Sequence, residues 1–400
     1  MSRAAVCAAR IALSVCILAG ARESYAQVTK ISVRRPPLLP RQDTCEADAY
    51  VRLARSRLLN GDLEGHAEAE AALIWASRLD PGSADPPYLL AVAVLRPVVI
   101  QAYRSGRFTH GLLRREFTPP RVRYLDSLMR EAWLREPFLD FDLEPLLSMG
   151  VFPPPEEIHD AAQRGYVAYH ALNPRLALDS WAEAIAGSPS RIDLRFHRAH
   201  AFYWLKMYDS TVVELRAVLA ARDSAASDTG RTIVFPDNDV LEYSYAVALE
   251  RAGHLDSAKE AYHRALVSNL GLYMARVRLS DLLASVSDTA GAMNEIVQAV
   301  DIAPREPWLL GYYGYMLLKA GRPADAIVQL NAAIALDSSY ATPYFLVGVA
   351  ETSLRRDSAA LASFESFLQR SARSDERRAW TRQRMGAIRS TMLKPSAPDE

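Results

Sequence analysis

Six stretches of the chain align end to end on a ruler of 34 residues, and this repeat limits the possible folds more than any other feature. The frames are Ile158–Arg191, Ile192–Ala225, Asp239–Leu272, Tyr273–Glu306, Pro307–Tyr340 and Ala341–Ser374. The eighth place holds Gly165, Ala199, Ala246, Ser280, Gly314 and Gly348, nothing larger than serine. The twentieth holds Ala177, Thr211, Ala258, Ala292, Ala326 and Ala360, and the twenty-seventh Ala184, Val218, Ala265, Ala299, Ala333 and Phe367. A period of this length is a pair of helices. One pair cannot bury its apolar face alone, so neighbours must stack into a solenoid. Small residues at fixed places mark where two helices approach too closely for a large side chain. The chain is 50% hydrophobic and 24% charged, too apolar for disorder.

The N-terminus reads as a secretory signal over residues 1–26. Arg3 and Arg10 give a positive start, Ile11–Gly20 a short apolar core, and Ser24-Tyr25-Ala26 small residues before a cut at Gln27. The apolar run is too short to span a bilayer comfortably, and no later run reaches that length, so no transmembrane segment is expected after cleavage. Processing would remove three of the 47 basic residues and one of the 47 acidic ones, leaving a net charge near −2. Such a balance argues against nucleic acid, which requires a basic face to neutralise phosphates. Cys45 would be the one cysteine left, which excludes an intramolecular disulfide; it either pairs between chains or stays free. The expected localisation is therefore exported, periplasmic or secreted.

Between signal and array, residues 27–44 contain Arg34-Arg35-Pro36-Pro37-Leu38-Leu39-Pro40, a proline-rich tether, extended and solvated. Residues 45–136 carry two divergent helix pairs. The first ends at Asp80-Pro81, where proline halts the helix, and its second helix is lengthened through Glu64–Glu70. The second pair is expected at Leu89–Tyr103, kinked at Pro97, and at Arg121–Arg135. Residues 137–157 lack a clean period and form a junction. The array occupies 158–374, interrupted by a loop at 226–238. A capping helix follows over 375–393, with Ser374 as N-cap and Trp380, Ala387, Ile388 and Met392 covering the last repeat, then a tail at 394–400.

The small–large–small pattern resembles the tetratricopeptide repeat. It is sharpest at Trp308-Leu-Leu-Gly-Tyr-Tyr-Gly-Tyr, followed by Ala320-Gly321-Arg322-Pro323, Ala326, Ala333 and Leu336-Asp337. Gly253 and Gly321 fall at the turn within a pair, where a left-handed residue ends the first helix. The resemblance covers about Ile158–Ser374 closely and Cys45–Glu136 loosely. It implies an all-α, right-handed superhelical solenoid of antiparallel helix pairs. About six regular repeats would follow two divergent N-terminal pairs, and a capping helix would close the array. It further implies a concave groove, lined by first helices, that receives a protein or peptide partner. The groove-facing places carry Tyr166, Tyr169 and His170, then Phe196, His197, His200, Tyr203 and Trp204. Later frames add Tyr243, Arg278, Trp308, Tyr312, Tyr315 and Phe345. Aromatic side chains give large contact area at low entropy cost, as a binding groove needs, although part of this list must pack between repeats.

Catalytic chemistry is largely missing. His197-Arg198-Ala199-His200 places two imidazoles on one helix face, a spacing that suits a metal if a third ligand such as His170 joins them. A metal-assisted hydrolase built on His170, His197 and His200 is therefore the rival reading. The chain has no His-Glu-x-x-His, phosphate loop, dinucleotide fingerprint or nucleophile elbow. The expectation is a non-enzymatic scaffold or adaptor of the cell envelope, without metal or cofactor.

Overall fold

The computed structural model describes residues 33–39, 42–60, 63–104, 119–138, 160–170, 173–189, 191–226 and 238–392. Among the described residues every regular element is an α-helix, seventeen in all. The divergent region supplies α1 (Ala47–Asn60), α2 (Leu63–Leu79), α3 (Asp85–Arg104) and α4 (Pro119–Arg135). The repeat frames supply α5 (Ala161–His170) with α6 (Pro174–Gly187), α7 (Ile192–Trp204) with α8 (Tyr208–Ala226), and α9 (Asn238–Arg251) with α10 (Leu255–Ser268). They continue with α11 (Tyr273–Ser285), α12 (Thr289–Ile302), α13 (Pro307–Lys319) with α14 (Pro323–Leu336), and α15 (Ala341–Ser353) with α16 (Asp357–Arg370). The chain closes on α17 (Arg377–Met392). The fold class is the expected one, paired helices packed against their neighbours. None of the helices described is long and apolar enough to cross a membrane.

The chain divides into two compact units. Among the described residues, one is built from those within Val94–Asp126 and Ala132–Ser287, the other from those within Arg22–Ala93, Ser127–Glu131 and Asp288–Glu400. The division falls inside the frame Tyr273–Glu306, so α11 belongs to the first unit and α12 to the second.

The small residues owe their size to close approach. A Cβ on Gly165 would lie 2.2 Å from Trp181 Nε1, one on Gly314 2.6 Å from Leu330 Cδ2, and one on Gly348 2.5 Å from Phe364 Cδ1. Trp181, Leu330 and Phe364 all stand at the twenty-fourth place of their frames. A large side chain on the second helix thus fills the gap left on the first, at the density of a packed core. All six residues of the twentieth place are buried, and at the twenty-seventh only Ala184 is partly exposed. The turn within a pair also repeats. At the fifteenth place Gly253 and Gly321 are left-handed, with φ of 83° and 72°, and so are Lys206, Ser287 and Arg355 at 60°, 64° and 56°.

Several details differ from expectation. The proline-bearing segment is extended but packed: Pro36 is buried, Trp75 Nε1 donates to the Val33 carbonyl at 3.2 Å, and Arg35 lies 4.6 Å over the Trp75 ring. Helix α3 begins four residues early, because Pro86 and Pro87 fall in its first turn, where proline costs no hydrogen bond, and it runs on through Pro97. At the start of α17 the capping group is Asp375 rather than Ser374: Asp375 Oδ1 accepts from the Arg377 N–H at 3.0 Å while its carboxylate pairs with the Arg377 guanidinium. The buried stripe of α17 is Thr381, Met385 and Ile388, so Ala387 and Met392 face outward. Ile388 and Trp380 do cover the last repeat, the Trp380 ring packing on Phe345 and Phe364 at 5.5 and 6.0 Å while staying 46% exposed. The signal, the loop after α8 and most of the junction lie outside the described residues.

Candidate partner-binding faces

In the first unit the predicted rings fall into two groups. Tyr166 and Tyr169 of α5 close around Trp181, the buried residue opposite Gly165, whose indole donates to the Ala162 carbonyl at 3.2 Å. Tyr166 meets Trp181 edge-on at 5.5 Å and His197 at 4.9 Å, and Tyr169 lies between Trp181 and Trp204 at 5.6 Å from each. These rings tie α5 to α6 and α7, so they are inter-repeat packing first. Trp204, at the end of α7, remains 43% exposed. The side chain of His170 lies outside the described residues.

The second group is Phe196, His200, Tyr203 and Tyr243, and the chain itself covers it. Phe138, three residues beyond α4, stacks on Tyr203 with centroids 3.9 Å apart and 12° between planes, and reaches His200 at 5.2 Å. His200 in turn meets Phe196 at 4.8 Å. Trp133 packs edge-on against Tyr243 at 5.0 Å, and the Tyr243 hydroxyl donates to the Leu134 carbonyl at 2.7 Å. The sequence reading missed Trp133, Leu134 and Phe138. The available signal was Trp133 near the end of the expected helix Arg121–Arg135 and Phe138 just past Pro137, at the start of the stretch without a clean period.

Behind Tyr243 lies a buried polar cluster. Glu250 receives the Arg278 guanidinium at 3.2 Å and the Tyr262 hydroxyl at 2.5 Å. Burial pushes the Tyr243 hydroxyl up to about 12, against the pull of Arg278. Tyr262 is raised further, by burial outweighing Arg278, with the Glu250 charge adding to the rise. Burial alone would lower the Arg278 guanidinium, but Tyr243, Tyr262 and Glu250 around it raise it instead. Arg278 therefore holds a fixed positive charge as the centre of a hydrogen-bonded core rather than as a free groove residue.

In the second unit α13 presents Trp308, Tyr312 and Tyr315 at helical spacing. Trp308 and Tyr312 are half-buried; Tyr315 is 41% exposed, its ring centroid 6.2 Å from Tyr312, with the Lys319 ammonium 5.7 Å above it. Phe345 of α15 takes a different role. It sits among Phe364, Phe367 and Trp380 at 6.2, 5.3 and 5.5 Å, with Arg377 5.3 Å over its face, and so forms the joint between the last repeat and α17. A cavity of about 360 Å³ is lined in part by Arg35, Cys45, Trp75, Ser338, Gln369 and Arg370. Both of its guanidiniums are engaged, Arg35 on Trp75 and Arg370 on Tyr344 and the Ser338 and Ser366 carbonyls. Cys45 is a free thiol, its Sγ 3.8 Å from the Gln369 carbonyl.

For metal chemistry, no group of three or more His, Cys, Asp or Glu is assembled among the described residues. His197 and His200 are each packed into rings of the first unit.

No protein-family model matches the chain, and no curated protein matches it. Among solved structures, the C-terminal part of a TPR repeat-containing protein from Cytophaga hutchinsonii is 12% identical, with 52% of this chain and 78% of that one covered and a TM-score of 0.45. PilW, a widely conserved type IV pilus biogenesis factor, is 17% identical over 51% of this chain and 89% of its own, with a TM-score of 0.39. MamA from Desulfovibrio magneticus RS-1 is 16% identical over 46% and 98%, with a TM-score of 0.38. At such values the fold assignment rests on this chain's own helix pairs.

Proposed function

We propose that this chain is an exported, non-catalytic scaffold that holds a protein or peptide partner on the aromatic faces of its first helices. The observation that carries this reading is the exposed ring of Tyr315 on α13, 41% exposed, with half-buried Tyr312 beside it and Lys319 above it. A rigid helix presenting an amphipathic ring loses little entropy when a partner covers it, and a cation at the edge adds selectivity. Export follows from the N-terminal signal pattern, and with it a place at the cell envelope.

The test is the pair Tyr312→Ala with Tyr315→Ala, used as bait in a pull-down from envelope extract beside the parent protein. Loss of specific partners at unchanged helicity is expected. Retention of every partner refutes the binding face.

A further inference from the structure

The cavity of about 360 Å³ in the second unit is walled by four separate stretches: the segment before α1, helix α2, the turn between α14 and α15, and the end of α16. Trp75 and Leu79 give it an apolar side, while Arg35 and Arg370 bring two guanidiniums to it. The chain holds both cations in place. Arg370 donates Nε to the Ser338 carbonyl and Nη1 to the Ser366 carbonyl, each at 3.0 Å, and lies 4.5 Å over the Tyr344 ring. Arg35 donates Nη2 to the Thr44 carbonyl and lies 4.6 Å over the Trp75 ring.

These contacts use neutral carbonyls and ring faces, so they position the charges without neutralising them. Arginines elsewhere in the second helices and the cap meet acids, Arg264 on Glu242 and Arg389 on Glu365, whereas among the described residues neither Arg35 nor Arg370 is paired with a carboxylate. Asp43 turns its carboxylate to the Cys45 and Arg373 N–H groups, and no acid is among the residues described around the cavity. A guanidinium has five N–H donors, of which each of these spends only part on the chain. The Ser338 hydroxyl and the Gln369 carboxamide also line the cavity, each without a hydrogen-bond partner among the described residues. Fixed cations beside an apolar wall select an anion with an apolar body. Its carboxylate takes charge-assisted hydrogen bonds from donors whose ordering has already been met by the fold. At water's share of about 30 Å³ per molecule, the volume suits about a dozen non-hydrogen atoms.

We propose that this cavity binds a small organic monocarboxylate, its carboxylate on Arg35 and Arg370 and its hydrocarbon body against Trp75 and Leu79. The ligand joins the segment before α1 to α14 and α16, so the stability of the second unit responds to its concentration. This site is separate from the partner-binding face on α13, and neither reading depends on the other.

Cys45 lines the same cavity and reports on it. The full chain is alkylated with N-ethylmaleimide, and the rate at Cys45 is followed by mass spectrometry of its peptide. Phenylacetate, hexanoate, the neutral phenylacetamide or inorganic phosphate is present in turn. At about ten times its dissociation constant, an acid that fills the cavity slows the reaction about tenfold. At least one of the two acids should reach this effect by about 20 mM, a modest demand on a ligand of this size, while phenylacetamide and phosphate leave the rate within about twofold. No slowing by either acid, or equal slowing by the amide or by phosphate, overturns the proposal. That measurement needs no variant to fold. A folded Arg370→Gln protein should lose the protection, and one that keeps it in full also overturns the proposal. Either failure leaves the Tyr312/Tyr315 experiment unaffected, because α13 supplies none of the residues described around the cavity.

Discussion

Gly348→Ala and Gly386→Ala add the same methyl group to helices of the same unit, yet they should shift stability in opposite directions. A glycine-to-alanine change inside a helix gains about 0.5–1 kcal/mol from reduced backbone freedom. At Gly386 in α17 nothing lies within 4 Å of the new Cβ, so that gain should appear in full. At Gly348 the Cβ would meet Phe364 Cδ1 and Cε1 at 2.5 Å and Cζ at 2.9 Å. The Phe364 ring is fully buried among Ala360, Met385 and Ile388, so it has no open space to swing into. Displacing a packed ring typically costs about 1–3 kcal/mol, and here three of its atoms are affected, so the upper half of that range applies. The net result is a loss of about 1–2 kcal/mol, equivalent to a melting temperature lower by about 3–6 °C for a unit of this size. Urea and thermal denaturation followed by circular dichroism measure both variants directly. A Gly348→Ala protein as stable as the parent, or more so, refutes the argument that repeat geometry excludes a Cβ at the eighth place.

Arg278→Leu leaves the Glu250 carboxylate in a largely buried site with only the Tyr262 hydroxyl, and should cost about 3 kcal/mol in urea denaturation; a loss below about 1 kcal/mol refutes a structural role for the pair. Arg355→Gly relieves a left-handed turn adopted by a non-glycine residue and should raise stability by about 0.5–1 kcal/mol, whereas an unchanged midpoint argues against strain there. Asp337, which is 8% exposed, has its carboxyl raised by burial, against the Ser339 N–H and the Arg78 charge. Its folded state therefore keeps the proton to higher pH than the unfolded chain, so its stabilising contribution is complete at low pH and fades as pH rises through the interval between the ordinary and raised values. Asp337→Asn should accordingly gain on the parent as pH rises across that interval; parallel stability profiles refute this. N-terminal sequencing of the exported protein should begin at Gln27, and a mature chain retaining Ile11–Gly20 refutes the signal assignment.

The repeat was legible because its causes are local and periodic. The small residues at the eighth and twentieth places announce close helix approach, and the structure supplies the matching bulk at the twenty-fourth place, Trp181, Leu330 and Phe364. Gly253 and Gly321 marked the turns for the same reason, while Lys206, Ser287 and Arg355 hid theirs, because a left-handed turn is imposed on them by the helices on either side. Phase was less secure than existence. In α17 the buried stripe is Thr381, Met385 and Ile388; Ala387 and Met392 face outward, and Trp380 covers Phe364 with part of its ring only.

The fate of the groove residues was not legible. Periodicity places Tyr169, Tyr203, Tyr243, Tyr315 and Phe345 on equivalent faces, but it carries no information about what lies across from them. Tyr169 closes on Trp181, Phe345 on the capping helix, and Tyr243 and Tyr203 on Trp133 and Phe138, while Tyr315 stays open. The amino-acid order by itself determined that this chain is a row of helix pairs, since pairing follows from side-chain size at spacings of a few turns. Which rings remain free was decided only in three dimensions, because Trp133 and Phe138 are distant in the chain from the rings they cover, and no local spacing records a contact made across that separation.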